Sequence, residues 1–557
     1  MDLDKESLSI INKNIINWYP WKENSKILEI NANSGELTEE LSCHADKVVA
    51  IEENKEKYKE LQEKCRDLQN TELISDKLEN VELNEKFDYI LINSIKQEKQ
   101  TLEKILDYAN KYINESGILL ILLDNKFGLA TFNCKWEDNE DKDPNIKMEK
   151  TSIEQMLKKQ GFENYKFYYP LPNYKTPNVI YTDNYMPNEE SILRDLTLYN
   201  ENTVVITDER NKYKEIINEN INLFSMYANS FLIETSKMPI TNEIKYVSFG
   251  NSRKEKYRMK TIMNNEQVYK EPVLEEGKEH LQTIKNNIII LNRLGINILD
   301  TFDENKIYSK LIKNVQSFDK MLIEMAKENG TESILESVQK FYKDLENKLE
   351  KSEQTANTVF EKYNIEINEE AKRKLHFIKD GIYDLIFQNA FLIDNEFHFY
   401  DQEWIEENIP IEFIMYRAIY YLGNSCSAID TDELYKRMNI YPYKDIFEKL
   451  ENILQYQIKD EKIWKIHAES FKTIRSIHDT CIHYNNLRGI AENEALQLKE
   501  QLKNNELEKE RLRQALEEKN HQIKDLEFQL NYVISSKSWK MTEPLRNIRR
   551  KFNKKLY

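Results

Sequence analysis

Three polar side chains with the spacing of a phosphoryl-transfer site lie in the second half of the chain. Asp384 is followed by Asn389, and Asp401 comes after a short apolar stretch that turns at residues 394–395. A carboxylate can orient or deprotonate an acceptor hydroxyl, and carboxylate and amide oxygens bind the magnesium ions that neutralise nucleotide phosphates. We therefore expect Asp384 to be a catalytic group, and Asn389 and Asp401 to be metal ligands. The alternative is an ordinary hairpin with solvated acids.

A second candidate site lies at the first strand-to-helix turn, within residues 27–38. Glu29, Asn31, Asn33 and Gly35 follow the pattern E-x-G-x-G-x-G, with asparagine in place of the first two glycines. The glycines of such a turn let the backbone approach a nucleotide-type cofactor, and the turn opens a helix. Asparagine tolerates left-handed backbone angles better than most residues, so we expect the turn to form. Its side chain, however, can enter the cofactor space.

Two acids further along the chain complete this second site. Glu52 ends the second strand, where a carboxylate would bind the ribose hydroxyls of the cofactor. Asp76, in the stretch 73–76, is placed to face the adenine. Together with the turn, these residues predict a cofactor-binding edge.

The elements that must position this edge alternate regularly over the first 130 residues. Strands are predicted at 26–30, 47–51, 87–92 and 117–123, and helices at 35–43, 55–68 and 98–114. Buried strands that alternate with helices predict a doubly wound, mostly parallel α/β sheet.

The residues of the phosphoryl-transfer site require a second, α+β unit. Three strands are predicted at 244–249, 257–263 and 267–270, followed by a long helical tract from 275 to about 365. The hairpin that carries Asn389 and Asp401 is predicted from strands at 390–393 and 397–400. More helices follow to about residue 469.

The C-terminal part has a different pattern, with heptad spacing and then a basic segment. Eight of eleven heptad positions are apolar; the positions are Leu498, Leu502, Asn505, Lys509, Leu512, Leu516, Lys519, Ile523, Leu526, Leu530 and Val533. This pattern predicts a coiled coil, with a dimer and a trimer both open, and a single amphipathic helix packed on its own domain as the alternative. The tail from residue 535 has an apolar stripe and many basic residues. It predicts an interfacial anchor on anionic membrane, or else a partner-binding or disordered tail.

Composition narrows the class of protein. The 557 residues suffice for three or four domains, and the formal charge of −17 argues against a nucleic-acid binder. The five cysteines, at positions 43, 65, 134, 426 and 481, show no metal-binding spacing and are expected to be reduced thiols of a cytoplasmic protein. The N-terminus lacks the pattern of a signal peptide, and the longest apolar run, 118–123, is too short to span a bilayer.

Several stretches resemble known families. Residues 27–38, 117–129 and 167–181 resemble S-adenosylmethionine (SAM)-dependent methyltransferases of bacterial surface-polysaccharide synthesis. Residues 252–261 and 401–404 are similar to the kinase-like domain often fused to them, and 538–546 to tails of polysaccharide-cluster glycosyltransferases. The order of the parts resembles methyltransferase–kinase–coiled-coil proteins that cap O-antigen chains and set their length at the inner membrane.

The resemblance assigns roles to further residues. Lys270 takes the place of the strand lysine that pairs with nucleotide phosphates, with Glu276 or Glu279 as the helix acid that would anchor it. A Gly-rich phosphate loop is missing, since only Gly250 lies near residues 249–253, and Ile382 replaces the usual histidine before the catalytic aspartate. The implied cofactors are SAM in the first domain and ATP with Mg²⁺ in the second.

The predicted organisation is a class I SAM-methyltransferase-like domain at 1–190, a connecting segment at 191–243, a kinase-like domain at 244–485, a coiled coil at 490–534 and a basic amphipathic tail at 535–557. The resemblance implies an enzyme that methylates, and in addition phosphorylates, the terminus of a cell-surface glycan. Its expected partners are a glycan or lipid-linked polysaccharide, glycosyltransferases, the inner face of the membrane and further copies of the chain. The rivals are an inactive methyltransferase-like scaffold that recruits glycosyltransferases, and a methyltransferase with an inert kinase-like domain.

Overall fold

The computed structural model describes residues 5–93, 102–132, 134–135, 147–189, 191–192, 203–204, 209–352, 357–463, 506–537, 539 and 542. The strands of the first unit are β1 (Lys26–Ile30), β2 (Lys47–Ile51), β3 (Thr71–Ile74), β4 (Phe87–Asn93), β5 (Ile113–Asn125), β6 (Cys134–Lys135), β7 (Lys147–Met148), β8 (Asn164–Leu171), β9 (Val179–Thr182), β10 (Thr203–Val204) and β11 (Ser230–Ser236). Its helices are α1 (Lys5–Lys13), α2 (Glu36–Ser42), α3 (Lys55–Lys64), α4 (Leu102–Tyr112), α5 (Lys150–Lys159), α6 (Glu209–Asn220) and α7 (Phe224–Tyr227).

The sheet of the first unit has the strand order β3-β2-β1-β4-β5-β11-β8-β9. Strands β1 to β5 pair with one another in parallel, and β11 runs antiparallel between β5 and β8. The predicted Rossmann-like α/β fold is confirmed. The segment 191–243, predicted as a connection, supplies β11 and therefore belongs in part to this sheet.

Both faces of the sheet are covered, as parallel strands require. On β8, Phe167 and Tyr169 pack into the apolar cluster of one face, while Tyr168 packs into that of the other. Helix α4 shows why the helices cover the faces. Its buried residues recur with helical spacing and form one apolar stripe: Leu102, Ile105, Leu106, Ala109 and Tyr112.

The second unit begins with an antiparallel sheet. Its strands are β12 (Tyr246–Phe249), β13 (Met259–Met263), β14 (Gln267–Pro272), β15 (Asn297–Ile298), β16 (Asp300–Phe302), β17 (Ile307–Lys310), β18 (Phe377–Ile382), β19 (Ala390–Ile393), β20 (Glu396–Phe399) and β21 (Ile405–Pro410). Five of them form the order β12-β13-β14-β17-β16. The predicted helical tract from 275 to 365 is therefore wrong between 297 and 310, where β15 to β17 interrupt it.

Helices make up most of the rest of the second unit. They are α8 (Lys278–Arg293), α9 (Phe318–Asn329), α10 (Leu335–Lys348), α11 (Val359–Lys362), α12 (Glu369–Lys372), α13 (Ile411–Ser425), α14 (Thr431–Arg437) and α15 (Lys444–Ile458). Helix α13 is buried on nearly every side and forms the centre of a core shared with α9, α10 and α15. The predicted hairpin is present as β19 and β20, and Asp394 and Asn395 form its turn at φ 50° and 69°.

The two units share one sheet. Strand β12 pairs antiparallel with β9, with Val247 opposite Ile180 and Ser248 opposite Val179. A single apolar cluster crosses this junction, because it contains Leu232 of the first unit and Ile262 of the second. The junction is thus a continuous hydrogen-bonded ladder over a common core.

Helix α16 (Glu506–Ser535) is the C-terminal element of the described chain. It exposes apolar side chains on the predicted seam, including 47% of Leu516 and 45% of Leu530. No helix among the described residues is both long enough and apolar enough to cross a bilayer. The first part of the predicted coiled coil and most of the basic tail lie outside the described residues.

Candidate functional sites

The turn after β1 has the backbone of a glycine-rich loop. Asn31, Asn33 and Gly35 all adopt left-handed angles, with φ of 62°, 52° and 87°. At Gly35 a side chain would also meet Leu61, whose Cδ1 would lie 2.7 Å from an added Cβ. The turn therefore keeps the tight geometry and close helix contact for which such loops use glycine.

The Asn33 side chain is folded back onto the turn. Its Nδ2 donates to the Asn31 carbonyl at 2.8 Å, and its Oδ1 accepts from Lys57 Nζ at 2.7 Å. Lys57 reaches the turn from α3, which follows β2. The sequence pattern predicted that asparagine could crowd the cofactor space, and Lys57 holds that side chain in one position.

Glu52 fixes two backbone segments at the end of β2. Its Oε2 accepts from the Asn33 amide at 2.8 Å, and its Oε1 accepts from the Asn54 amide at 2.7 Å. The residue is fully buried beneath these contacts. Glu52 thus ties the turn after β1 to the start of α3.

Glu29 and Asp76 have different surroundings from those of Glu52. Glu29 is fully buried and accepts from the Thr38 hydroxyl of α2 at 2.5 Å. Burial raises the pKa of Glu29 to about 8, although the hydrogen bond from Thr38 lowers it, so the carboxyl is mostly neutral at pH 7. Asp76 is exposed, and hydrogen bonds from Asn80 and from the Lys77 amide lower its pKa. Glu29 thus holds α2 against β1, and Asp76 caps its own turn.

In the second unit, the three residues of the predicted phosphoryl-transfer site lie together. Asn389 Nδ2 donates to the Asp384 carbonyl at 3.1 Å and to the Asp401 carbonyl at 3.4 Å. Gln402 Nε2 also donates to the Asp384 carbonyl, at 3.0 Å. The hairpin therefore brings Asn389 and Asp401 beside Asp384, as their spacing predicted.

Lys270 of β14 reaches this cluster. Its Nζ contacts Asp401 Oδ1 and lies 2.7 Å from Glu403 Oε1. Burial alone would lower the pKa of Lys270, but the Asp401 and Glu403 carboxylates raise it. The helix acids Glu276 and Glu279 are exposed, and the lysine is anchored by Glu403 instead.

Asp384 is held by a buried arginine. Arg417 of α13 donates from NH1 to Asp384 Oδ1 at 3.0 Å and from Nε to Glu451 Oε2 at 2.7 Å. Burial raises the pKa of Asp384 to about 6, although the Arg417 guanidinium lowers it. A carboxyl with this pKa gains or loses a proton near neutrality, which suits a group that orients or deprotonates a hydroxyl.

Sequence reasoning missed several residues that build this site, namely Arg253, Asp300, Glu403 and Arg417. Asp300 Oδ2 accepts from the Asp401 amide at 2.7 Å and supports the left-handed backbone of that residue, whose φ is 61°. Glu403 had a sequence signal, because it lies two residues after Asp401. Arg417 had none, since an arginine within an apolar helix does not reveal which carboxylate it will meet.

The two sites present different sets of polar groups to a ligand. Asn389 and Asp401 supply an amide and a carboxylate, which are ligands that Mg²⁺ accepts, and Mg²⁺ keeps several waters and phosphate oxygens besides. No cluster of three or more His, Cys, Asp or Glu side chains able to hold a metal occurs within the described residues. The site therefore suits a metal that is bound partly by a nucleotide. The left-handed turn and Glu52 suit the adenosine half of SAM.

Comparisons with known proteins add little to this geometry. No family model and no curated protein matches the chain. Solved structures that resemble it include a SAM-dependent methyltransferase of Thermotoga maritima, 14% identical with a TM-score of 0.27, where the match covers 42% of this chain and 89% of the other. Another is a SAM-dependent methyltransferase of Aquifex aeolicus, which is 18% identical with a TM-score of 0.23; the match covers 28% of this chain and 84% of the other. A third is phosphoethanolamine N-methyltransferase 1 of Haemonchus contortus in complex with phosphoethanolamine and S-adenosylhomocysteine. It is 10% identical with a TM-score of 0.27, and the match covers 43% of this chain and 44% of the other.

The sheet itself gives the fold: a parallel α/β sheet whose order reverses at β1, with the candidate turn at the carboxyl end of that strand. The first unit has a Rossmann-like α/β fold within a large mixed sheet.

Proposed function

We propose that the chain is a SAM-dependent methyltransferase joined to a kinase-like phosphotransferase, and that it modifies the terminus of a cell-surface polysaccharide. The observation that supports this most is the left-handed backbone at Asn31, Asn33 and Gly35. Asn31 and Asn33 stand where such a turn carries glycine, and both keep the left-handed backbone that those glycines would have. A turn that has this geometry at all three positions favours a working cofactor site over an inactive scaffold.

The proposed roles in the first unit follow from position. The turn would lie against the cofactor, and Glu52 would accept hydrogen bonds from its ribose. SAM, when bound, supplies a methyl group that leaves the sulfonium sulfur for an acceptor oxygen, and the acceptor loses a proton. Isothermal titration of the full chain with SAM and with S-adenosylhomocysteine tests this part. Absence of binding to either would leave the scaffold as the better proposal.

Support for the second unit comes from its strand order and from the side chains placed on it. A lysine on the third strand, a following helix, and an Asp–Asn–Asp set on and beside a hairpin are the parts that protein kinases use to bind and transfer a phosphoryl group. In this proposal Asp384 orients the acceptor hydroxyl and takes its proton. Lys270 contacts the phosphates, and Asn389 and Asp401 hold Mg²⁺.

The polysaccharide acceptor rests on the resemblance of the sequence stretches. Transfer of radiolabelled methyl from SAM and of γ-phosphoryl from ATP to lipid-linked oligosaccharides of the native cell surface tests it. Labelled lipid-linked product would support the acceptor class. If only small free sugars or proteins accept the label, this part of the proposal fails.

We also propose that the chain acts as an oligomer at the inner face of the cell membrane, where it meets glycosyltransferases. Residues 537–557 carry eight Lys or Arg and one Glu, which suits anionic lipid, with about 1 kcal/mol for each basic residue near the surface. Replacing these basic residues by glutamine in the full chain should prevent co-sedimentation with anionic liposomes. Unchanged co-sedimentation would remove this role from the tail.

A further inference from the structure

The segment between β12 and β13 occupies the place where a kinase-like unit has its Gly-rich phosphate loop. Such loops bind phosphate through backbone amides that only glycine lets approach closely. Here residues 250–253 contain one glycine, Gly250, and end in Arg253. The segment carries a guanidinium at the position where backbone amides would be expected.

Arg253 points into the candidate phosphoryl-transfer site. Its NH1 donates to Glu403 Oε2, while Lys270 Nζ lies 2.7 Å from the other oxygen of the same carboxylate. The Arg253 guanidinium also lies over the Trp404 ring, 5.5 Å from its centroid. One carboxylate therefore holds two cations side by side.

The exposure of these groups differs in a way that suits a ligand. The Glu403 side chain is only 3% exposed, so it lies at the base of the site. The side chains of Arg253, Lys270 and Asp401 are 30%, 19% and 34% exposed and form its rim. Both cations thus keep a face open to solvent while the carboxylate beneath them is closed off.

The segment that carries Arg253 is hydrogen-bonded to the C-terminal end of α15 and the residues that follow it. The Lys254 amide donates to the Ile458 carbonyl at 2.9 Å, and the Asp460 amide donates to the Ser252 carbonyl at 2.8 Å. The buried Arg258 donates from Nε to the Arg253 carbonyl at 2.9 Å and from NH2 to Asp460 Oδ2 at 3.1 Å. Arg253 is therefore held in place before a ligand arrives, which lowers the entropic cost of binding.

The geometry points to Arg253 and Lys270 as a two-cation clamp for the polyphosphate of a Mg²⁺-bound nucleoside triphosphate, with Glu403 as the buried brace that positions both. This inference rests on the proposed phosphotransferase role and names how that site binds phosphate without a Gly-rich loop. In the structure Lys270 is shared between Asp401 and Glu403. A metal at Asp401 would release Lys270 toward phosphate, while Glu403 would keep both cations in position. A guanidinium matches phosphate with a planar pair of donors.

The test is isothermal titration of the full chain with three probes: Mg-ATP, Mg-tripolyphosphate and adenosine. In the Arg253→Gln variant we expect Mg-ATP and Mg-tripolyphosphate affinity to fall by about tenfold to a hundredfold, the usual loss for a hydrogen bond to a charged group. Adenosine affinity should not change, because adenosine carries no phosphate. The affinity of Arg253→Lys for the two phosphate probes should be intermediate, because lysine keeps the positive charge but lacks the planar pair of guanidinium donors.

Lys256→Gln is the matched control. Lys256 is an exposed cation three residues further along the same segment, so the variant has the same change in net charge. It should bind all three probes as the wild type does. An equal loss of affinity for Mg-ATP and Mg-tripolyphosphate in this variant would mean that net charge, and not contact with Arg253, causes the loss. The clamp would then be overturned.

The remaining outcomes separate the clamp from the phosphotransferase proposal. Unchanged Mg-ATP binding by Arg253→Gln, or an equal loss of adenosine binding, overturns the clamp and leaves the phosphotransferase role standing. If Mg-tripolyphosphate binds in a way that depends on Arg253 while Mg-ATP does not bind, the clamp is supported and a nucleoside triphosphate is refuted as its ligand. A wild type that binds neither phosphate probe overturns both.

Discussion

At the scale of single residues, the same backbone conformation serves both candidate sites. Asn31 and Asn33 adopt it in the cofactor turn, and Asp401 adopts it beside Asn389. Short polar side chains reach left-handed angles at lower cost than other non-glycine residues and add a functional group there. At Asn31 and Asn33 a polar side chain stands where the pattern of the cofactor turn has glycine, so substitution by glycine separates the effect of the backbone from that of the side chain.

Asn33→Gly is expected to tighten SAM binding several-fold, because it removes the side chain that Lys57 holds on the turn and that crowds the cofactor space. Isothermal titration with SAM measures the effect. Asn24→Gly is the control, since Asn24 is exposed and has a similar φ of 55° away from the turn. It should leave SAM affinity unchanged, because Asn24 lies outside the cofactor turn. No gain from Asn33→Gly would indicate a turn that no longer binds the cofactor.

Asp401→Ala is expected to abolish Mg-ATP binding while the fold remains intact, because the proposed metal loses its carboxylate ligand. Titration with Mg-ATP and circular dichroism together check both statements. Asp380→Ala, which removes an acid that pairs with Arg293 on the surface, is the control and should bind as the wild type. Undiminished phosphoryl transfer by Asp401→Ala would refute the role of Asp401.

At the scale of the elements, buried carboxyls join helices to strands and make stability depend on pH. Burial raises the pKa of Glu29 to about 8, above its ordinary value of 4.5. Stability from such a group is complete below the ordinary pKa and is lost as pH rises through the folded value. The loss is up to about 1.4 kcal/mol for each pH unit in that window.

Glu29→Gln should therefore flatten the decline of stability between about pH 5 and pH 8. Glutamine keeps the shape of the neutral carboxyl beside Thr38 but cannot ionise. Urea unfolding at a series of pH values gives the comparison. Glu56→Gln, which changes an exposed acid in the first turn of α3, is the control and should show the wild-type decline. A decline as steep as that of the wild type would show that other groups cause it.

Helix α16 is expected to associate with itself through its apolar seam. The double variant Leu516→Asp/Ile523→Asp places charge at two seam positions seven residues apart and should reduce the oligomer to monomers. Gln514→Asp/His521→Asp places the same residues on the outer face and should leave the mass unchanged. Analytical ultracentrifugation distinguishes them. Equal masses for both variants would exclude this seam as the contact.

The sequence predicts those features whose residues lie close together along the chain, and it does not predict contacts between residues far apart in sequence. The parallel strands, the hairpin and the Asp384, Asn389 and Asp401 set follow from apolar runs and short spacings, and the structure has them in those places. Strands β11 and β15 could not be assigned, because their partners β5, β8 and β20 lie far away in sequence. Strands β16 and β17 form a local hairpin, but they are only three and four residues long and give too short a pattern to recognise. Arg417 and Asp384 meet only through the packing of α13, so no spacing reveals their contact.

At the scale of the whole molecule, the two units are expected to unfold together. The β9–β12 ladder and the cluster that spans the junction make each unit part of the other's core. Calorimetry of the wild type should show one transition whose calorimetric and van't Hoff enthalpies agree for this part of the chain. Val247→Pro breaks the ladder at a fully buried position and should split the transition in two. Two transitions in the wild type would refute the coupling.

The shared sheet also sets how far apart the two reactions would occur. Eight strand-to-strand steps separate β1 from β14 in the order β1-β4-β5-β11-β8-β9-β12-β13-β14. At about 4.8 Å for each step, the path along the sheet is roughly 38 Å. At this separation a single sugar would not touch both sites at once, so the product of the first reaction would leave one site before it reached the other. A lipid-linked intermediate would then be open to a competing glycosyltransferase at the membrane, and the relative rates of capture by the second site and of extension would decide the length of the finished polymer.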